Sequence, residues 1–277
     1  MSRELSLVEQ LAYSTVRVVA DGKTFGTGFL MRFKESDSQY VPVLITNGHV
    51  LDGAKEVSFR CTIAAEDGPG SGIYPIKMTV DPNMVAYLPC YRAGTDSDVC
   101  ALPFAPVINS ARKQGVDLFV PMLGMDMLAD DGYLGELMQL DEITMIGYPR
   151  GIMDEGNNQP IFRRGVLATS PGMDYNNRKE FLTDIATIGG SSGSPVFIIH
   201  EGFVHNRRSG GIRVGGGIEC KLIGVHRGGF RYDAQGQIVE IVPEEIKAGA
   251  YVSITRVPIN LGIVIKPNRI RELESLF

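Results

Sequence analysis

No stretch of this chain approaches the roughly 18 consecutive apolar residues that a membrane-spanning helix needs. The richest, Leu118 to Leu128, is broken by Pro121, Gly124 and Asp126. No apolar segment follows the opening Met1-Ser2-Arg3-Glu4, so no secretory leader is read and a soluble, cytoplasmic protein is expected. Cysteine is scarce. Cys61, Cys90, Cys100 and Cys220 show no Cys-x-x-Cys spacing, and free thiols in a reducing compartment are expected. A zinc site drawn from Cys220 with His200, His205 or His226 would lack zinc-finger spacing, so no metal or cofactor is implied. Positive charge is also in short supply. With 27 Lys and Arg against 32 Asp and Glu, the formal charge is −5, which argues against a nucleic-acid partner. The strongest basic cluster, Arg207-Arg208 with Arg213, lies in Gly-rich sequence and reads as a solvated hairpin.

What the chain does have is turn-forming residues and short apolar runs. Its 277 residues include 33 Gly and 15 Pro, with 44% apolar and 21% charged residues, an ordinary globular balance. That length suits one large or two small domains. Runs rich in β-branched and aromatic residues, bounded by turns such as Asp21-Gly22 and Asp52-Gly53, predict strands at Thr15–Val19, Gly28–Phe33, Val41–Thr46, Val57–Ile63, Tyr74–Val80 and Val99–Phe104. The second half predicts Glu142–Gly147, Phe162–Thr169, Phe181–Ala186, Pro195–Ile199, Leu222–His226, Tyr251–Thr255 and Leu261–Ile265. Helical periods sit only at the ends: Leu5, Val8 and Leu11 after Ser2 as cap, and Pro267–Phe277 with Ile270 and Leu273 on one face. The expectation is an all-β protein of two six-stranded antiparallel barrels with short terminal helices, not a doubly wound α/β fold. Residues 1–110 would form the first barrel, 111–140 an irregular connection and 141–277 the second barrel.

Three segments could carry chemistry. In Gly189-Gly190-Ser191-Ser192-Gly193-Ser194-Pro195 a Ser flanked by glycines can sit on a tight turn, with backbone N–H groups free to face a ligand. His49 lies at the exit of the apolar run Leu44-Ile45-Thr46-Asn47-Gly48-His49, where a strand end fixes an imidazole in place. Asp98 opens another run, Ser97-Asp98-Val99-Cys100-Ala101-Leu102, where a partly buried carboxylate can accept an imidazole N–H and fix its tautomer. Each feature alone has a bland structural reading. Together, in the order His, Asp, Ser, they match one known order of a catalytic triad.

With these motifs the chain resembles the trypsin-like (chymotrypsin-fold) serine proteases, of the disulfide-independent kind found in bacteria and viruses. Gly26-Thr27-Gly28-Phe29, Thr46-Asn47-Gly48-His49-Val50, Asp98-Val99-Cys100-Ala101-Leu102 and Gly190-Ser191-Ser192-Gly193-Ser194-Pro195 carry the likeness, together with Gly147-Tyr148-Pro149. Two departures stand out: Gly48 replaces the usual Ala, and Ser191 replaces the Asp that precedes the nucleophile in animal enzymes. The resemblance implies Ser192 as nucleophile, His49 as general base and then acid, Asp98 as its orienter, and the N–H groups of Gly190 and Ser192 as an oxyanion hole. It implies no cofactor, and protein or peptide substrates. Arg227, Gly228 and Gly229 would pair with substrate backbone by strand addition. Thr187 and His226 match pocket residues of bacterial glutamyl endopeptidases and of viral cysteine proteases that cut after Gln, so cleavage after Glu or Gln is expected. With Ser191 in place of Asp, no proteolytic activation step is expected.

Two rival readings follow from the same residues. Ser191 could be the nucleophile of a Gly-x-Ser-x-Gly elbow, but that fold needs alternating strands and helices and an acid followed by a His after the Ser. The fold could also be kept as a catalytically silent peptide-binding module. The excess sequence in Glu201–Cys220 would be a hairpin or a cleft-shaping loop, and any regulatory partner is left open.

Overall fold

The computed structural model describes residues 5–36, 39–81, 83, 85–87, 98–205, 212–238 and 251–277. The protein is built almost wholly from antiparallel strands. In chain order they are β1 (Thr15–Ala20), β2 (Thr24–Phe33), β3 (Val41–Thr46), β4 (Glu56–Ala65), β5 (Gly68–Thr79), β6 (Ala86–Tyr87), β7 (Cys100–Pro103) and β8 (Leu118–Phe119) in the first half. The second half holds β9 (Glu142–Gly147), β10 (Ile161–Leu167), β11 (Glu180–Asp184), β12 (Pro195–His205), β13 (Ile212–Ile238) and β14 (Tyr251–Ile265). The first eight form one sheet in the order β5-β4-β1-β2-β3-β7-β6, with β8 on β4; the last six close into a barrel, β10-β11-β14-β13-β12-β9. Helices are short: α1 (Leu7–Ser14), α2 (Gly48–Leu51), α3 (Ala105–Lys113), α4 (Asp131–Glu136) and α5 (Asn268–Glu274). Among the described residues no helix is long and apolar enough to cross a membrane.

The two-residue side-chain period of strands explains how the halves are joined. On β2, Leu30 points into the core of the first half with Val18, Leu44 and Phe59. Its neighbours Phe29, Met31 and Phe33 point the other way, into a core shared by both halves. There they meet Val43 and Ile45 of β3, Phe197 of β12, Leu222 and Val225 of β13, and Ile265 of β14. The barrel's own interior takes the alternate residues: Met145, Val196, Ile198, Ile223 and Val264. Strands buried on both faces read as unbroken apolar runs, which is why Phe29-Leu30-Met31 and Val43-Leu44-Ile45 stand out in the sequence. Each such side chain contributes about 1.5–3 kcal/mol by leaving water.

Several boundaries differ from expectation for local reasons. Helix α1 begins at Leu7 because Ser6, not Ser2, caps it: Ser6 Oγ accepts from Glu9 N–H, and the Glu9 carboxylate accepts from Ser6 N–H at 2.8 Å. Ser2 lies outside the described residues. Pro106 does not break structure in the middle stretch but opens α3, where a first-turn proline loses no hydrogen bond. The runs around Tyr251 and Leu261 are one continuous strand, β14, which pairs with β13 from Ile238↔Tyr251 to Val225↔Ile265. The described ends of Glu201–Cys220 continue the β12–β13 hairpin as far as His205↔Ile212; Arg207 and Arg208 lie outside the described residues.

Candidate active site

Each candidate side chain is held where one half meets the other. Strand β3 ends at Thr46, Asn47 caps the single turn α2, and His49 rides on that turn with its ring half exposed. Asp98 lies two residues before β7, whose pairing Thr46↔Cys100 brings it beside α2. Asp98 engages His49 twice: Oδ1 accepts the His49 backbone N–H at 3.0 Å, and Oδ2 lies 2.6 Å from His49 Nδ1. That pair fixes a proton on Nδ1 and leaves Nε2 as the ring's basic nitrogen. Asn47, which sequence reasoning passed over, supports the pair by donating from Nδ2 to the Asp98 carbonyl at 2.6 Å.

Ser192 stands on a turn in which two glycines have a mechanical reason. Gly190 and Gly193 have φ of +91° and +87°, in the left-handed region. A Cβ on Gly193 would lie 1.9 Å from the Thr27 carbonyl oxygen, so no side chain fits. The turn is stapled to β13 by Gly193 N–H to His226 O and His226 N–H to Ser194 O, both 2.8 Å. It is stapled to the first half by Thr27. Thr27 N–H donates to Ser192 O at 2.8 Å, and Thr27 Oγ1 donates to Gly190 O at 2.9 Å while accepting from Tyr148 N–H at 3.0 Å. The Gly189 carbonyl is taken by Arg150 N–H at 2.6 Å. Across a trans peptide this turns the Gly190 N–H to the opposite side. The N–H groups of Gly190 and Ser192 have no acceptor among the described residues, unlike those of Ser191, Gly193 and Ser194. The Ser192 hydroxyl donates to the Arg227 carbonyl at 3.2 Å.

Ser191 faces away from this arrangement. It is fully buried, and its Oγ accepts from Arg163 Nη2 at 2.7 Å. The elbow reading, which would make Ser191 the nucleophile, is thereby excluded. So is its requirement for alternating strands and helices.

A pocket opens beside Ser192, and its lining includes Thr187, His226, Gly228, Gly229, Phe230 and Arg231. His226 is buried, and burial, with lesser contributions from the charges of Arg163 and His49, lowers its pKa to about 3, so the ring is neutral. Its Nδ1 is buried without a hydrogen-bond partner among the described residues. Gly229 packs so closely that a Cβ there would fall 2.3 Å from Thr187 Oγ1. Arg227 contributes backbone, not side chain: its guanidinium turns away to the buried Glu180, Nε to Oε1 at 3.2 Å. Cys61, Cys100 and Cys220 are free thiols, and burial raises all three, Cys61 and Cys220 to about 12. Cys90 lies outside the described residues.

Two antiparallel β units, the first carrying the His49–Asp98 pair and the second the Ser192 turn, define a protein of chymotrypsin-like architecture. The trypsin-like peptidase domain family matches residues 26–204, and the chain belongs to that family. Among solved structures it is similar to the Rv3671c protease in its inactive form, at 15% identity over 97% of this chain and 91% of that one, with a TM-score of 0.46. It is similar to Deg5 at 15% identity, covering 80% and 82% of the two chains with a TM-score of 0.46. A third similar structure is the scabies mite inactivated protease paralogue S-I1, at 14% identity over 98% and 97% of the chains with a TM-score of 0.44. No curated protein sequence matches the chain significantly.

Proposed function

We propose that this protein is a serine endopeptidase in which Ser192, His49 and Asp98 form the triad and cleavage follows Glu or Gln. The observation that carries the reading is the two-point grip of Asp98 on His49, together with a Ser192 turn that has two unengaged N–H groups among the described residues. In the reaction, Ser192 Oγ leaves the Arg227 carbonyl, transfers its proton to His49 Nε2 and bonds to the scissile carbonyl carbon. The N–H groups of Gly190 and Ser192 hold the resulting oxyanion, each worth roughly 10²–10³ in turnover. Breaking the C–N bond releases the amine, which takes the proton from His49; water then repeats the sequence on the acyl-enzyme. Vacated by Ser192, the Arg227 carbonyl accepts a substrate N–H, and Gly228 and Gly229 extend that pairing as an added strand. Thr187 Oγ1 and the neutral His226 ring supply hydrogen bonds that an apolar pocket cannot, which favours a carboxylate or carboxamide side chain. Arg163 holding Ser191 supports a turn that is formed without a freed N-terminus.

A second reading, a silent peptide-binding module, draws on the Ser192 hydroxyl being bonded to Arg227 O. Profiling cleavage of a peptide library tests both. The expected result is enrichment of Glu or Gln at the cleaved residue, with turnover lost in Ser192→Ala. A profile without that enrichment contradicts the specificity, and peptide binding without turnover in the unaltered protein supports the silent module.

A further inference from the structure

Arg163, on β10, lies directly behind the wall of this pocket. Its Nη1 donates to the Ala186 carbonyl and its Nη2 to Ser191 Oγ, so its two hydrogen bonds bracket the segment from Thr187 to Gly190. Both acceptors are neutral. Among the described residues no carboxylate pairs with Arg163, and its Nε is buried without an acceptor. A half-buried guanidinium stays charged, and one with only neutral partners has lost part of its hydration without gaining a counter-ion. On the pocket side of the wall no carboxylate appears either: the ionisable side chains lining it are His226 and Arg231. Two acidic groups of this region are already committed, Asp98 to His49 and Glu180 to Arg227.

We propose that Arg163 is the specificity-determining cation of the pocket and makes it prefer the carboxylate of Glu over the carboxamide of Gln. The proposal rests on the serine endopeptidase reading and sharpens it. Arg163 acts through the field it places across the Thr187–Gly190 wall, with Thr187 and His226 making the contacts. A unit charge several ångströms from another in a half-buried site is worth roughly ten- to a hundredfold in relative preference.

The test compares kcat/KM on two matched peptides, one with Glu and one with Gln at the cleaved residue, for the unaltered protein, Arg163→Gln and Arg163→Lys. The unaltered protein is expected to favour Glu. Arg163→Gln is expected to lose roughly ten- to a hundredfold on the Glu peptide with little change on Gln, bringing the ratio toward unity. Arg163→Lys keeps the charge but cannot reach both acceptors, and its ratio stays in favour of Glu. Should Arg163→Gln fail to fold, Arg163→Met, which keeps the length of the side chain and removes the charge, makes the same comparison. Equal losses on both peptides would mean that Arg163 only braces the turn, and would overturn the proposal. So would a preference for Gln in the unaltered protein. Ser192 labelled by a fluorophosphonate without cleavage at either residue overturns the specificity alone; absence of both labelling and cleavage overturns the endopeptidase reading as well.

Discussion

His226 is the residue whose chemistry departs furthest from its ordinary behaviour. Its folded pKa of about 3 lies well below the usual histidine value near 6.5, because the ring is buried, with smaller contributions from Arg163 and His49. Between those two values the unfolded chain binds a proton here and the folded chain does not. The stability that His226 contributes is therefore complete above about pH 6.5 and is lost progressively as pH falls toward 3. Urea midpoints measured from pH 7 down to 4.5 should fall more steeply for the unaltered protein than for His226→Gln, which has nothing to titrate at that position. Parallel curves would mean that the ring is not held neutral by the fold. At this scale the sequence was readable wherever a residue type is scarce and its neighbours distinctive. His49, Asp98 and Ser192 each sat in a short motif with a chemical reason. Arg163 could not be found that way, since one arginine among 27 basic residues gives no sign that its partners are Ala186 and Ser191.

Among the elements, the connection between β2 and the Ser192 turn matters most. Thr27 alone joins Gly190, Ser192, Tyr148 and Thr46, the last donating from Oγ1 to the Thr27 carbonyl at 2.7 Å. Thr27→Val keeps the shape and removes the hydroxyl, leaving the buried Tyr148 N–H and Gly190 C=O unpaired. A stability loss of about 1–3 kcal/mol is expected, together with a drop in turnover, because the carbonyl set free belongs to Gly190, the residue whose own N–H is one of the two proposed oxyanion donors. Denaturant unfolding and steady-state kinetics on the same preparation check this. Unchanged turnover would show that Thr27 does not fix the turn. The β rhythm was legible because β2, β3, β9 and β12 are buried on both faces and read as apolar runs. Helix α3 and the reach of β13 were not. A proline hides a helix start when read as a breaker, and the Gly- and Arg-rich stretch after Glu201 has no apolar alternation to mark it as strand.

At the scale of the whole molecule, the shared core of Phe29, Met31, Ile45, Phe197, Val225 and Ile265 holds the two halves together, and with them the two parts of the site. On the proposed reading neither half is sufficient. His49 and Asp98 come from the first, and Ser192 and its pocket from the second. The central claim is that these three residues act as one chemical unit across that boundary. The most direct test is reaction of the purified protein with a fluorophosphonate probe, followed by mass spectrometry of the labelled peptide. Rapid labelling at Ser192 is expected, lost in His49→Ala and slowed by roughly 10⁴ in Asp98→Asn. Folded protein that is not labelled at Ser192, or labelling indifferent to His49, would contradict it.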